Sequence, residues 1–270
     1  MRFLFVLACA FFGAAQALAD DLSDAFPYPL ITVSGADAYA EWDALRAKPG
    51  TPIILGPREE VESILYAFDP EWADYFDSLD VALDKAGDLA HPQSLYDYRV
   101  DEHALFVESL QESGSDWAEE MAAFDPLEIP DDYWGPWSDL GQQPDGLISL
   151  DDWETGRPYK TVYITILPTE NAWETPIYLR FGGWNANPMP EIHAAAFRHW
   201  EETYGAVPAV MQSDIIEFHV ERPPKTRDAA RDLAREFYIY CNDIVDQGVG
   251  DMSVLAALAM SDAPWYFWWD

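Results

Sequence analysis

The sequence predicts an α+β protein in which helices pack on a mixed β-sheet. Short apolar runs rich in Val, Ile and Tyr alternate with segments of helical period in the first and last parts of the chain. The chain also ends on WYFWWD (265–270), five consecutive aromatic residues followed by a carboxylate. An uninterrupted apolar run suits a strand that is covered on both faces, so this segment is predicted to be the last strand of the sheet.

The first section alternates strands and helices. LITV (30–33) predicts a short strand, AYAEWDALRAK (38–48) an amphipathic helix, and TPIILG (51–56) a buried strand. Pro57 stands before REEVESILYAF (58–68), whose apolar residues recur at helical spacing, so a second helix is expected there. The order strand, helix, strand, helix is typical of α/β units.

Acidic and aromatic residues dominate the section that follows. Helices are expected around 70–86 and 103–123, before a turn-rich stretch with several Pro and Gly residues. The sequence leaves open whether this section is a lid or a separate subdomain. The predicted organisation is a strand/helix section (20–68), an acidic helical and loop insertion (69–150) and a C-terminal domain (151–270), with one unit over 20–270 as the alternative.

The last part contains clearer patterns. TVYITILPT (161–169) and TPIYLRF (175–181) predict a pair of strands, and EIHAAAFRHWEETYG predicts a helix that ends at Gly205. AVPAVM (206–211) and DIIEFHVER (214–222) predict two more strands.

Two helices separate these strands from the terminal aromatic run. Thr226 is expected to cap a long helix over TRDAARDLAREFYIYCNDIV, with Asp228 near its positive end. A shorter helix is expected over 252–260.

The first residues have the pattern of a secretory signal peptide. Arg2 precedes an apolar run, and Ala17-Leu18-Ala19 fits a small-x-small cleavage site. We therefore expect cleavage near Ala19 and a secreted or periplasmic protein. No later apolar stretch is long enough to cross a bilayer. Removal of residues 1–19 would leave Cys241 as the only thiol, which cannot form an internal disulfide.

The net charge of −34, from 15 basic and 49 acidic residues, is extreme. A phosphate backbone would be repelled, so nucleic acid is not an expected partner. A solvated acidic surface is the favoured interpretation, and recruitment of calcium or of a basic partner is the alternative.

Sequence motifs in the last 110 or so residues resemble those of a bacterial family. They are LPT (167–169), PIYLRFGGWNANP (176–188), E-x-H (191–193), Trp200, YGA (204–206), ERPP (221–224), A-x-E-F-Y-x-Y-C-x-D-I-V-x-Q-G (234–248), LAA (255–257) and WYFWWD. In this order and at this spacing, the part from about 161 to 270 resembles the domain-of-unknown-function 4253 family.

The resemblance implies little about activity, because the family is named for lacking a known one. Two positions depart from the family pattern. Asn187-Pro188 stands where the family often has Cys-Pro, and Cys241-Asn242-Asp243 stands where it often has Cys-Pro-Asp. The first departure removes a possible thiol partner for Cys241 and weakens any thiolate metal site.

Polar residues inside these motifs are the first candidate site. His193, Glu217, His219 and Asp243 could form a general acid/base or metal site for hydrolysis. Further binding candidates are Trp184, Asn185, Glu191, Gln247 and Asp270. Because no metal-ligand or nucleophile motif is present, buried, hydrogen-bonded residues that organise the fold are the favoured interpretation.

GQQPDGLISLDDW (141–153) is a degenerate match to a calcium-binding loop. Asp145, Ser149 and Asp152 would supply oxygen ligands, but Gly and Gln occupy the positions that normally carry the first carboxylates. An ordinary Asp-Gly turn is therefore favoured. No cofactor is expected, and calcium or zinc remains the alternative.

Two further features have a structural and a chemical interpretation. Cys241 is expected to be a small apolar filler rather than a nucleophile. EWADYF (71–76) and DDYWGPW (131–137) combine aromatics with acids, as sugar-binding sites do, although acids occur in nearly every segment of this chain.

The sequence therefore favours an exported, non-catalytic binding or interaction protein of the cell envelope. The expected partner is an unidentified protein or small molecule. A hydrolase that uses a His/carboxylate cluster is the alternative, and the two are distinguished by whether those four side chains converge in a cleft.

Overall fold

The computed structural model describes residues 21–72, 74–140 and 146–270. A six-stranded mixed sheet runs through this part of the chain in the order β1-β5-β2-β6-β7-β8, and β3 and β4 pair separately. The strands are β1 (Leu30–Val33), β2 (Thr51–Gly56), β3 (Asp151–Asp152), β4 (Arg157–Pro158), β5 (Val162–Leu167), β6 (Ala206–Met211), β7 (Ile215–Val220) and β8 (Trp265–Trp268). The α+β class and the mixed sheet are confirmed.

Helices precede, separate and cover these strands. They are α1 (Gly35–Leu45), α2 (Arg58–Leu65), α3 (Leu79–Asp88), α4 (Gln93–Glu112), α5 (Ala118–Ala123), α6 (Thr175–Leu179), α7 (Pro190–Tyr204), α8 (Arg227–Tyr240) and α9 (Met252–Met260). Short 3₁₀ turns cover Tyr66–Phe68, Pro70–Trp72, Asp131–Tyr133, Ile148–Leu150 and Ala172–Glu174, and a π-helical turn covers Ile244–Val249. No helix in the described residues has the length and apolar character that a membrane crossing requires.

Strands β2 and β6 are parallel, whereas the other pairings in the six-stranded sheet are antiparallel. The carboxyl ends of β2 and β6 therefore lie at the same edge of the sheet. Everything from Pro57 to Gly205 forms the connection between them. Ligand crevices are common at such an edge in open α/β sheets.

Most of the strands expected from the sequence are present, but one is wrong. Residues 175–181 were predicted to be a strand, but Thr175–Leu179 form helix α6, with Pro176 in its first turn. Proline is tolerated there because the first turn of a helix has unpaired N–H groups. Arg180 then takes a left-handed conformation, with φ of 51°, which ends the helix after a few residues.

The expected helix boundaries in two regions also change. In the insertion, α3 begins only at Leu79, because 3₁₀ turns and a loop occupy the start of the expected 70–86 helix. Thr226 caps α8 as predicted, accepting a hydrogen bond from the Ala229 N–H. Helix α8 ends at Tyr240 because Cys241 is extended, and the chain then enters the π-helical turn.

The sheet separates two apolar layers. On one face, Trp42 of α1 packs with Ile54, Ile164 and Val210. On the other, Trp200 of α7 is fully buried among aromatic side chains of β7, α8 and β8. The Trp200 ring stacks on Phe267, with centroids 5.4 Å apart and 5° between the planes. The helical layer is therefore joined to the sheet largely by aromatic contacts.

The terminal aromatic run is a strand at the edge of the sheet. Trp265, Phe267 and Trp269 face the helical layer and are 3%, 0% and 1% exposed. Tyr266 and Trp268 point to the other face and are half-buried. The predicted strand is confirmed, but the prediction that both of its faces are covered is wrong. Alternate residues of a strand point to opposite faces, and only one face of this strand meets the aromatic core.

Truncation of the tail should therefore cost far more stability than truncation of a surface indole. We expect Trp269→Ala to lower the free energy of unfolding by about 3–5 kcal/mol, because it leaves a cavity in the core. Trp153→Ala is the matched control, since Trp153 is 85% exposed, and it should change stability by no more than about 0.5 kcal/mol. Urea unfolding measures both. Equal, small losses would contradict the buried position of the tail.

Candidate functional site

A cleft of about 460 Å³ lies beside the carboxyl end of β6. Gln212 and Ser213, which directly follow β6, line one part of it, and Ser63 and Ile64 of α2 line another. The side chain of Gln212 packs against Gly56 at the end of the neighbouring parallel strand β2. The cleft therefore lies where the carboxyl ends of the two parallel strands, β2 and β6, come together.

Aromatic side chains form much of the wall of this cleft. Tyr66, Trp72 and Tyr75 line it while remaining 72%, 51% and 47% exposed. Phe76, Phe181 and Trp184 complete the aromatic lining. Trp72 and Tyr75 meet edge to face, with centroids 6.0 Å apart. Large aromatic side chains that remain exposed around one concavity are typical of a surface that contacts a ligand.

A glycine-containing loop, Phe181–Pro188, forms the opposite wall. At Gly182 the backbone has φ of 104°, and a Cβ would lie 1.9 Å from the Pro188 oxygen, so only glycine fits there. The Gly183 N–H donates to the Asn187 and Pro188 oxygens at 3.0 and 2.9 Å. The Tyr75 hydroxyl donates to the Gly183 oxygen and so connects this loop to the aromatic wall.

His193 holds this loop from inside the protein. Its Nε2 lies 2.7 Å from Asn187 Oδ1, and its Nδ1 is hydrogen-bonded to the Tyr240 hydroxyl. The side chain is fully buried, and desolvation, followed by the charge of Arg99, lowers the pKa of His193 well below its usual value. The ring is therefore neutral: Nε2–H donates to Asn187, and Nδ1 accepts from Tyr240.

Glu217 and His219 lie on the other face of the sheet from His193. Glu217 accepts hydrogen bonds from Ile148 N at 2.9 Å, from Ser149 N at 3.1 Å and from the Ser149 hydroxyl. Burial raises the pKa of Glu217, although these hydrogen bonds oppose the shift. His219 Nδ1 is 2.8 Å from the Tyr39 hydroxyl. Burial lowers the pKa of His219, and the positive charge of Arg46 lowers it further.

The fourth catalytic candidate belongs to a different group at the end of β8. Asp243 accepts from Gln247 Nε2 at 3.1 Å and from Asp270 N at 3.0 Å. Asn185 donates to the Asp270 backbone oxygen at 2.7 Å. Asn185, Asp243, Gln247 and Asp270, all candidates from the sequence, are thus brought together at the end of β8. The four catalytic candidates His193, Glu217, His219 and Asp243, by contrast, do not converge on one cleft. Each of the four has its own hydrogen-bond partners.

The remaining candidates are also accounted for individually. Trp184 lines the aromatic cleft, whereas Glu191, at the start of α7, lies 3.9 Å from Lys85 Nζ. Asp152 accepts from Glu154 N and Thr155 N in a turn. Asp145 lies outside the described residues, as does the predicted signal peptide. Within residues 21–72, 74–140 and 146–270, no group of three or more His, Cys, Asp or Glu residues could hold a metal ion.

Cys241 is fully buried, and its thiol lies 3.0 Å from the Trp268 oxygen. Burial raises the pKa of Cys241 to about 12, so the group is a neutral thiol near pH 7. Neutral thiols are poor nucleophiles. The position of Cys241 supports its interpretation as a structural residue, because the thiol donates a hydrogen bond to the Trp268 oxygen of the edge strand β8.

The two segments that combine aromatics with acids have different positions. Trp72, Tyr75 and Phe76 of EWADYF line the cleft. In DDYWGPW, by contrast, arginines of α8 lie over the indole rings: Arg227 is 4.7 Å from the Trp137 centroid, and Arg235 is 4.8 Å from that of Trp134. Those cation–π contacts hold the acidic insertion on α8, and no residue of this second segment lines the aromatic cleft.

Arg180 and the Gly182-Gly183 pair are among the cleft residues that were not candidates from the sequence. The wrong strand prediction over 175–181 placed Arg180 in a sheet. The consecutive glycines in FGGWNANP were the available signal, since such a pair often marks backbone that approaches another segment closely.

The family resemblance is confirmed for the C-terminal part of the chain. Residues 163–270 match the model of a family described as a domain of unknown function, DUF4253. The matched part carries the Phe181–Pro188 loop, His193, Gln212 and Ser213, whereas α2, Trp72 and Tyr75 lie before it. No curated protein and no solved structure matches the chain.

Proposed function

We propose that this protein, whose residues 163–270 match the DUF4253 family, is a non-catalytic binding protein for a small molecule that contains a flat, apolar ring. The observation that carries the proposal is the aromatic cleft, whose volume of about 460 Å³ is in the usual range for small-molecule sites. Tyr66, Trp72 and Tyr75 expose large apolar surfaces there. A bound ring would remove those surfaces from water, which is favourable.

The polar groups of the cleft favour binding over hydrolysis. The two serines that line it are already engaged, since Ser213 Oγ donates to Glu60 at 2.7 Å and Ser63 Oγ to the Glu59 oxygen at 3.0 Å. No histidine is among the described residues that line the cleft. A hydrolase would need a nucleophile or activated water beside a base, and the separation of His193, Glu217, His219 and Asp243 weighs against that alternative.

Export is the second part of the proposal, and it rests on the signal-peptide pattern of residues 1–19. An envelope binding protein would meet its ligand outside the cytoplasm. Cell fractionation followed by N-terminal sequencing tests this part. We expect an extracytoplasmic chain that begins after Ala19, and a cytoplasmic chain that retains residues 1–19 would contradict it.

The cleft itself is tested with the neutral fluorescent probe N-phenyl-1-naphthylamine, titrated into the full chain. We expect saturable binding with enhanced probe fluorescence. Trp72→Ala should weaken this binding about fivefold to tenfold, because an aromatic contact contributes ~1 kcal/mol.

The matched control is Trp117→Ala. Trp117 is 62% exposed, close to the 51% of Trp72, and it does not line the cleft. This variant should bind the probe as the unmodified chain does. Absence of probe binding, or equal affinities in the two variants, would contradict the assignment of the cleft.

A further inference from the structure

Arg180 is the only charged residue among the described residues that line the aromatic cleft. It directly follows α6 and precedes the Phe181–Pro188 loop. Its side chain is half-buried, so the guanidinium group is neither free in solvent nor enclosed in the core. The charge is therefore available at the wall of a largely apolar cavity, where it is less screened than on an open surface.

The guanidinium group is fixed in place by contacts that do not neutralise it. Nη1 donates to the Ala67 oxygen at 3.0 Å. The Cζ atom lies 5.2 Å from the centroid of the Phe68 ring and 6.0 Å from that of Phe76. These contacts orient the planar group but leave the edge formed by Nε and Nη2 without a partner among the described residues.

Arg180 has no ion pair, although the chain contains 49 acidic and only 15 basic residues. Among the described residues, no carboxylate lies within 4.0 Å of the Arg180 nitrogens, whereas Arg46, Arg58, Arg99 and Arg222 each have at least one. Asp77 and Glu191 line a smaller cavity that Arg180 also borders, but both interact with Lys85. These two acids are thus paired with Lys85 rather than with Arg180.

We propose, resting on the proposed function, that the cleft selects small aromatic anions over their neutral counterparts. The anionic group, such as a carboxylate, accepts two hydrogen bonds from the Nε and Nη2 edge of Arg180. The aromatic ring lies among Trp72, Tyr75 and Trp184. The free edge of an arginine matches the two oxygens of a carboxylate, and a bidentate pair of this kind is stronger than a neutral hydrogen bond.

The overall charge of the protein cannot explain a preference for anions, so that preference would depend on Arg180. A net charge of −34 repels anions at long range, although salt screens that repulsion beyond about 10 Å. A preference for an anion therefore depends on groups in direct contact with it rather than on the overall charge. Arg180 is the group in the lining that can supply this contact.

The test measures displacement of bound N-phenyl-1-naphthylamine from the full chain by 2-naphthoate and by 2-naphthamide. These two competitors share a ring system and differ in charge. We expect 2-naphthoate to bind about tenfold or more tightly than 2-naphthamide, because a hydrogen-bonded charge pair of this kind exceeds 1.4 kcal/mol. The comparison uses the unmodified protein, so it does not depend on a variant that folds.

Arg180→Gln should abolish the preference for 2-naphthoate, measured within the variant as the ratio of the two competitors' affinities. Arg198→Gln is the matched control. Arg198 also donates to backbone oxygens, those of Gly87 and Leu89, and lies over an indole ring, that of Trp173, but it is outside the cleft. Its loss removes the same charge and should preserve the preference.

The possible outcomes separate the two proposals. If the neutral probe does not bind, the proposed function fails. If the probe binds but 2-naphthoate and 2-naphthamide displace it equally well, the cleft remains a binding site and the anion preference is overturned. A preference that survives Arg180→Gln, or that is lost equally in Arg198→Gln, also overturns the role of Arg180.

Discussion

The hydrogen bonds of His193 connect the core of this protein to its surface cleft. Through Tyr240 the ring is joined to α8, and through Asn187 it is joined to the Phe181–Pro188 loop. A fully buried imidazole needs both partners, because an unsatisfied polar group in the interior costs free energy. The loop wall that carries Trp184 is therefore fixed by an interaction that lies wholly outside the cleft.

That interaction depends in turn on the aromatic layer around Trp200. Trp269 meets His193 edge to face at 5.5 Å, and Phe267 stacks on Trp200. The terminal aromatic run thus closes the apolar environment in which a neutral histidine is favoured. In this arrangement the core determines the shape of the cleft, while Arg180 and the exposed aromatics determine what chemistry it can bind.

The sequence predicts those features that depend on local periodicity and local capping. Helix α7, the Thr226 cap and the terminal strand follow from neighbouring residues alone. The cleft does not, because its walls come together through contacts such as that of Tyr75 with Gly183, 108 positions away. The segment 175–181 shows the same limit: its residues favour a strand. Residues Thr175–Leu179 nevertheless form a helix, which has Pro176 in its first turn and ends at the left-handed Arg180.

The protonation state of His193 is the most direct test of this account. Nitrogen-15 NMR of the imidazole, recorded on folded protein from about pH 8 to about pH 5, covers the range in which an exposed histidine becomes charged. The account predicts one protonated Nε2 and one unprotonated Nδ1 throughout that range. A ring that gains its second proton at the pKa of an exposed histidine would show that His193 does not hold the loop from a buried, neutral state.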